Sequence, residues 1–117
     1  MIPAIRISAI VGFLAVALGA FGAHALKQHL TQLNMTGVWE TAVFYHLIHA
    51  VVMLLIAGRP VFARLPWSCF LAGIILFSGS LYLLACTGIR WLGVITPFGG
   101  LALLAGWLSL AIWGFGA

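Results

Sequence analysis

The histidines are the residues of this sequence with the widest chemical repertoire. His46 and His49 are three positions apart, so on a helix both rings point the same way. Histidine can bind a metal ion, relay a proton, or form hydrogen bonds from a neutral ring. The pair therefore predicts a metal or haem site, a polar pathway, or hydrogen bonds to carbonyls and hydroxyls of neighbouring helices. For the third case, the hydroxyls expected as partners are those of Ser80, Tyr82 and Thr87.

Two further polar residues, His24 and Glu40, are functional candidates. His24 could join His46 and His49 if the first two helices are antiparallel neighbours. Glu40 is the single acidic residue, and it falls in the first turn of a predicted helix, where the helix dipole favours negative charge. It is predicted either to form an interfacial ion pair or to begin a proton or cation path. On a helical wheel it lies about 120° from His46 and about 180° from His49, which disfavours a single file.

Common catalytic motifs are absent from the sequence. There is no nucleotide-binding loop, no serine-hydrolase elbow, no HExxH motif and no pair of carboxylates. General acid–base chemistry would fall on histidine alone. The histidines also lack the cysteine or carboxylate companions of common metal sites. We therefore expect a protein that is not an enzyme and has no cofactor or metal.

The composition places these residues in a membrane protein. Of 117 residues, 65% are hydrophobic and 5% are charged, with a mean hydropathy of +1.26, whereas a soluble domain is roughly 25% charged. The formal net charge of +4 comes from basic residues spread singly along the chain. No basic patch forms, so we expect no nucleic-acid partner.

Four apolar stretches are long enough to cross a bilayer as helices. They cover residues 5–24, 38–57, 67–86 and 91–115, each near the roughly 20 residues that a transmembrane helix needs. Helix is expected because backbone groups in lipid must be satisfied within the segment. The sequence thus predicts an all-α membrane protein, a compact bundle of four transmembrane helices that forms a single domain over residues 1–117.

The connections and helix ends give more local predictions. Leucines at helical spacing in residues 25–37 predict a short interfacial helix, after which Thr36 is expected to cap the second span. Pro97 is expected to begin the fourth helix or to kink it. Trp39, Trp67 and Trp91 are predicted to lie in the aromatic belts at the membrane edges.

Small residues recur at helical spacing in the first, third and fourth spans. Lipid gives helices no hydrophobic reason to associate, so close contact across small side chains does much of that work. These faces predict a tight bundle. The residues expected to pack helix against helix are Gly12, Gly19, Gly22, Gly73, Ser80, Gly99 and Gly106.

The basic residues also predict the orientation. Arg6, Arg59 and Arg64 fall on one side of a four-span chain, and Lys27 and Arg90 fall on the other. The larger number of basic residues on the first side favours a multi-pass protein of the plasma (inner) membrane with both termini in the cytoplasm.

Four motifs occur in order along nearly the whole chain: GAFGAHALK after the first span, WETAVFYHLIHA in the second, FSGSLYLLA in the third and TPFGG in the fourth. Together they resemble the small polytopic membrane-protein family that includes transmembrane protein 256, whose bacterial relatives lie in the inner membrane. The resemblance implies a four-helix membrane protein with no assigned activity. It supplies no catalytic residues.

Three functional hypotheses follow. The first is a structural or organising bundle with a dry interior, which binds lipid, a second copy of itself or a membrane-protein partner. The alternative is a small channel or transporter for protons, a metal ion or a small solute, with His46 and His49 in a hydrated pathway. The third is a redox or metal protein.

Overall fold

A computed structural model describes residues 2–116; Met1 and Ala117, the ends of the predicted domain, lie outside the described residues. Within that range the chain is helical and has no strand. Four helical stretches are long and apolar enough to cross a membrane: Pro3–Ala23, Thr36–Ala57, Arg64–Thr87 and Arg90–Gly116. The predicted all-α membrane fold is confirmed.

The first two spans pack against each other as an antiparallel pair. Helix α1 (Ile2–Ala23) and helix α3 (Thr36–Ala57) are in extensive contact. On α1, Ser8 and Ala15 are buried, whereas Ile10 and Phe13 are exposed. Bulky side chains of α1 therefore face the lipid and its small side chains face the bundle.

The connection between α1 and α3 contains the predicted interfacial helix, α2 (Lys27–Gln32). Leu30 is its buried residue, and it packs in an apolar cluster with Trp39 and Ala85. On the exposed side of α2, His29 Nε2 lies 2.7 Å from the carbonyl oxygen of Cys86 at the end of the third span. This contact ties α2 to the bundle.

The predicted capping role of Thr36 is wrong, because Thr36 is itself the first residue of α3. Met35 occupies the cap position and makes no side-chain capping bond. The turn comes earlier than expected because Asn34 adopts a left-handed conformation, with φ of 57°. Asparagine tolerates that conformation better than most residues, so the chain reverses there.

The third span is a helix interrupted by a π-helical turn. It consists of α4 (Arg64–Gly73), the π turn (Ile74–Ser78) and α5 (Gly79–Thr87). The span begins at Arg64 rather than at 67 because Pro66 fits in a first helical turn, where its missing N–H is not needed. It ends at Gly88, whose positive φ of 71° favours glycine.

The fourth span begins with a short 3-10 helix (Arg90–Val94) and continues as α6 (Thr96–Trp113), followed by a 3-10 turn at Gly114–Gly116. Pro97 lies in the first turn of α6. Of the two possibilities that the sequence left open, the helix begins at the proline rather than bending there, because the fixed φ of proline suits a first turn.

Two apolar clusters fill the two ends of the bundle. One surrounds Met53, Ile56 and Phe70, and the other surrounds Leu30 and Trp39. His46 and His49 lie between these clusters along α3. The polar centre of the molecule is therefore closed by apolar side chains at both ends.

Two of the three tryptophans predicted for the aromatic belts are covered by neighbouring helices. Trp39 and Trp67 are buried, whereas Trp91 is 64% exposed. The indole N–H of Trp39 donates to the carbonyl oxygen of Leu18 at 2.9 Å, and that of Trp67 donates to Ser8 Oγ at 2.9 Å. A partner inside the bundle satisfies each indole N–H, so these two rings do not need lipid headgroups as hydrogen-bond partners.

Glycines in the third and fourth spans allow the backbone or side chains of the facing helix to approach closely. A methyl group added at Gly99 would overlap the backbone of Phe77. Added at Gly106 it would overlap the ring of Phe70, and at Gly73 it would overlap Leu103. These positions hold the third and fourth spans in close contact.

The glycines of α1 differ in how closely the facing helix approaches them. A methyl group at Gly22 would overlap the indole of Trp39, and one at Gly19 would lie 3.3 Å from Val43 Cγ1. At Gly12 the nearest atom would be Ala50 Cβ at 3.9 Å, an ordinary van der Waals distance. Gly12 therefore faces α3 but leaves room for a side chain.

Candidate functional site

Helix α3 carries the two candidate histidines into the centre of the bundle. His46 and His49 share a stripe with Ala42 and Met53, and all four are buried. His46 is 5% exposed and His49 is 4% exposed. Their rings are therefore surrounded by protein, and their hydrogen-bond partners decide what they can do.

His46 links three helices. Its Nε2 lies 2.8 Å from the carbonyl oxygen of Val11 on α1, and its Nδ1 lies 2.8 Å from the hydroxyl of Tyr82 on α5. A carbonyl oxygen can only accept, so Nε2 must carry the proton. In the neutral ring Nδ1 then accepts the proton of the tyrosine hydroxyl.

His49 is held in the opposite tautomer. Its Nδ1 lies 2.6 Å from the carbonyl oxygen of Tyr45, one turn earlier on α3, and must donate to it. Its Nε2 then accepts from the indole N–H of Trp107 on α6 at 3.0 Å. The indole can only donate, so a second proton on this ring would face another donor.

Aromatic rings enclose His49. The ring centroid of Phe70 lies 5.4 Å from that of His49, and the centroid of Trp107 lies 5.8 Å away. The ring of Tyr45 lies parallel to it, with the centroids 6.1 Å apart. The histidine is thus one ring in an aromatic cluster formed by α3, α4 and α6.

Other polar side chains also join pairs of spans. Ser78, in the π turn, donates to the carbonyl oxygen of Ala42 at 2.8 Å. The hydroxyls of Ser80 and Thr96 are 2.6 Å apart. Ser80, which was expected to act as a small packing residue, therefore also forms a hydrogen bond between the third and fourth spans.

His24 and Glu40 do not join the two buried histidines. His24 is exposed in the turn after α1, and Glu40 is exposed near the start of α3. Over residues 2–116, no group of three histidine, cysteine or acidic side chains is placed to hold a metal ion. In the same range, every buried side-chain nitrogen and oxygen has a hydrogen-bond partner.

Tyr82 was among the hydroxyls expected as partners of the histidines, and the Val11 carbonyl belongs to the expected class of carbonyls on neighbouring helices. Two partners were not expected: Trp107 and the carbonyl of Tyr45 on α3 itself. A backbone carbonyl leaves no mark in a sequence. Trp107 does leave one, since it stands near the middle of an apolar span, where its N–H needs a partner within the protein.

A cavity opens beside the bundle, at the end of the molecule where α1 ends and α3 begins. Its volume is about 590 Å³. Gly19 and Gly22 of α1 line it, together with Lys27 of α2 and a face of α3 that includes Glu40 and Phe44. A second cavity is lined by Asn34, Thr41 and Leu81, among others. Neither of these two cavities is lined by His46 or His49.

Comparisons with known proteins match nearly the whole chain. A family model described as a protein of unknown function (DUF423) matches residues 18–100. A UPF0382 membrane protein of Staphylococcus haemolyticus is 43% identical over 112 residues, which is 92% of this chain and 91% of the relative.

Two other relatives extend the range of organisms. The UPF0382 membrane protein YwdK of Bacillus subtilis is 42% identical over 115 residues, with 92% of each chain covered. A UPF0382 membrane protein of the yeast Schizosaccharomyces pombe is 32% identical over 114 residues, covering 92% of this chain and 97% of the relative. No solved structure matches the chain.

Proposed function

The chain belongs to the DUF423 family of membrane proteins, and from this premise we propose that it is a structural bundle whose buried histidines hold its helices together. It is an integral membrane protein whose relatives carry the name UPF0382 membrane protein and no enzymatic name. The resemblance noted in the motifs, to a membrane family without an assigned activity, is confirmed.

One observation carries the proposal: all four ring nitrogens of His46 and His49 have partners within the protein. A buried polar group without a partner costs about 1–3 kcal/mol. A hydrogen bond between membrane helices contributes about 0.6 kcal/mol on average. Rings held in this way stabilise helix contacts and leave no nitrogen for a passing solute.

The second candidate is a small channel or transporter for protons, a metal ion or a small solute. The bond between His46 and Tyr82 favours it, because a tyrosine hydroxyl can accept as well as donate. His46 could therefore hold a second proton, with Nδ1 donating to the tyrosine oxygen. His49 could not do the same, because the indole N–H of Trp107 cannot accept a hydrogen bond. The π turn at Ile74–Ser78 adds support, since such turns are frequent at functional sites.

The proposed setting is the plasma (inner) membrane, with both termini in the cytoplasm and the lipid bilayer as the main partner. Arg6, Arg59 and Arg64 belong to that side. The guanidinium carbon of Arg59 lies 4.4 Å from the ring centroid of Phe115, so the second connection and the end of α6 meet at one end of the bundle. The proposed protein is not an enzyme and works without a cofactor, metal or nucleic acid; a homo-oligomer or a membrane-protein partner is compatible with it.

Nitrogen-15 NMR of the histidine rings in lipid bilayers tests the proposal. We expect one neutral tautomer for each buried ring, with the proton on Nε2 of His46 and on Nδ1 of His49, and no exchange with water. His24, which is exposed, is the internal control and should exchange. Single His→Asn variants assign the signals.

The two candidate functions give different spectra. A structural bundle keeps both tautomers between pH 8 and 6. If His46 gains a second proton in that range and its ring exchanges with water, the structural proposal fails and the transport candidate replaces it.

A further inference from the structure

The cavity beside α1 and α3 has one polar end and one apolar end. Lys27, Thr36 and Glu40 line the polar end, near the membrane edge. Further along α3, Phe44, Leu47 and Ile48 form an apolar wall, and these three side chains are 61%, 39% and 38% exposed. We call this cavity the α1–α3 groove. Because the side chains of this wall are apolar and exposed, we expect it to face the acyl chains of the bilayer.

The groove reaches through about one leaflet. Thr36 and Ile48, the outermost lining residues of α3, are twelve residues apart, which corresponds to about 18 Å along the helix. Half of the hydrocarbon layer of a bilayer is about 15 Å thick. A partner helix would have to cross about 30 Å and would meet the groove over only about three-fifths of that length. A lipid of a single leaflet matches that extent.

The floor of the groove lets an acyl chain lie close to the protein. Gly19, Gly22 and Ala23 of α1 contribute no side chain larger than a methyl group. The one indole in the lining, that of Trp39, already donates its N–H to the carbonyl oxygen of Leu18. Polar chemistry is therefore confined to the end of the groove that holds Lys27, Thr36 and Glu40.

The charges at that end define the headgroup. Lys27 supplies one positive charge and Glu40 supplies one negative charge, and both side chains are exposed. We infer that the α1–α3 groove binds a zwitterionic phospholipid with a primary ammonium in its headgroup, of the phosphatidylethanolamine class. Its phosphate lies beside Lys27 and the Thr36 hydroxyl, its ammonium lies beside Glu40, and one acyl chain follows α3 toward Ile48.

This inference goes beyond the proposed function and does not depend on it, because neither buried histidine lines the groove. Water reaching His46 would overturn the structural proposal and leave the lipid site intact. Loss of the lipid site would in turn leave the histidine hydrogen bonds intact.

Native mass spectrometry of the full-length protein in detergent tests the inference. Dioleoyl phosphatidylethanolamine and dioleoyl phosphatidylglycerol are titrated separately, and the apparent dissociation constant of the first bound lipid is measured. We expect the zwitterionic lipid to bind about two- to fivefold more tightly, the range that one exposed charge pair supplies. Glu40→Gln should abolish this preference, because it removes the partner of the ammonium.

Matched variants test whether the lipid binds in the groove or elsewhere on the surface. Ala23→Leu fills the groove, whereas Ala20→Leu adds the same side chain to an exposed position of α1 outside the lining. Lys27→Gln removes a charge from the groove, and Arg90→Gln removes one from the same membrane side outside it. Ala23→Leu and Lys27→Gln should weaken binding, and their two controls should not.

Three results would overturn the inference. Equal affinity for the two lipids in the wild-type protein would remove the headgroup assignment. Equal binding by Ala23→Leu and Ala20→Leu would remove the groove as the location. A dimer that Ala23→Leu converts to monomer would show that a second copy of the chain occupies the groove.

Discussion

At the residue scale, Trp107 fixes the protonation pattern of His49 more firmly than any other side chain, because an indole N–H can only donate. Trp107→Phe leaves Nε2 of His49 buried without a donor. We expect the free energy of unfolding in mixed micelles to fall by about 1–2 kcal/mol. The nitrogen-15 signal of Nε2 should also shift to that of an unbonded acceptor.

Trp113→Phe is the matched control for this change, since Trp113 is on the same helix and 57% exposed. Its effect should stay within about 0.5 kcal/mol. Equal losses of stability in the two variants would mean that the indole ring, and not its hydrogen bond, is what the bundle requires.

Tyr82→Phe tests the hydrogen bond between His46 and the hydroxyl of Tyr82. The ring of Tyr82 packs against Trp39 with centroids 4.8 Å apart, and phenylalanine keeps that contact while it removes the hydroxyl. We expect a loss of about 1 kcal/mol in the free energy of unfolding, because Nδ1 of His46 loses its donor.

The control is Tyr45→Phe, which preserves the backbone carbonyl that His49 uses. Thermal unfolding followed by circular dichroism should rank Tyr82→Phe clearly below Tyr45→Phe. The reverse order would contradict the hydrogen-bond pattern at His46.

At the element scale, the space between facing helices differs from one helix pair to another. Substitutions at two glycines, Gly99 and Gly12, test this difference. Gly99→Ala drives a methyl group into the backbone of Phe77, which cannot move aside as a side chain would. We expect a loss of about 1–3 kcal/mol from overpacking, measured as the free energy of unfolding.

Gly12→Ala adds the same methyl group to α1, where 3.9 Å of space is available. Because alanine favours helix over glycine by up to about 1 kcal/mol, this variant should be as stable as the wild-type protein or more stable. Destabilisation by Gly12→Ala equal to that of Gly99→Ala would show that close packing is uniform along the bundle.

The elements themselves were largely predictable from the sequence, for a physical reason. Lipid forces every apolar span to satisfy its own backbone, so length and hydropathy are enough to predict four helices. Their internal irregularities were not predictable. The π turn at Ile74–Ser78 has no glycine or proline inside it, and it forms where Ser78 bonds to the carbonyl of Ala42 on a neighbouring helix.

The centre of the bundle also has features that were predictable from the sequence and features that were not. The shared stripe of His46 and His49 follows from spacing on a single helix. The choice of partners depends on how four helices dock, and that information is spread over contacts between distant residues. For this reason the burial of Trp39 and Trp67 was not predicted, since nothing local in the chain indicates an acceptor at Leu18 or Ser8.

At the scale of the whole molecule, the orientation in the membrane is the feature open to the most direct test. Val61 lies in the second connection and is 71% exposed, and Gln28 is exposed on α2 at the opposite end. In a background without Cys69 and Cys86, each is replaced by cysteine and exposed to a membrane-impermeant maleimide. With the termini in the cytoplasm, Gln28→Cys should react in intact spheroplasts, and Val61→Cys should react only after lysis.

Labelling of Val61→Cys in intact spheroplasts would reverse the orientation. The effect of charge can be measured in the same way. Arg59→Gln combined with Arg64→Gln leaves fewer basic residues on the side proposed to be cytoplasmic than on the other. We expect this double variant to give a mixed population in which both cysteines are labelled in part.

The hydrogen bond between His49 and Trp107 also bears on how the protein is made. Its two residues are 58 positions apart, so at about 5–20 residues per second the ribosome needs roughly 3–12 s to supply the tryptophan after the histidine. Until the tryptophan has been made, the spans already in the membrane contain no indole partner for Nε2 of His49. A nascent chain that stalls before the last helix therefore leaves inside the bilayer an unpaired polar atom that the finished bundle covers.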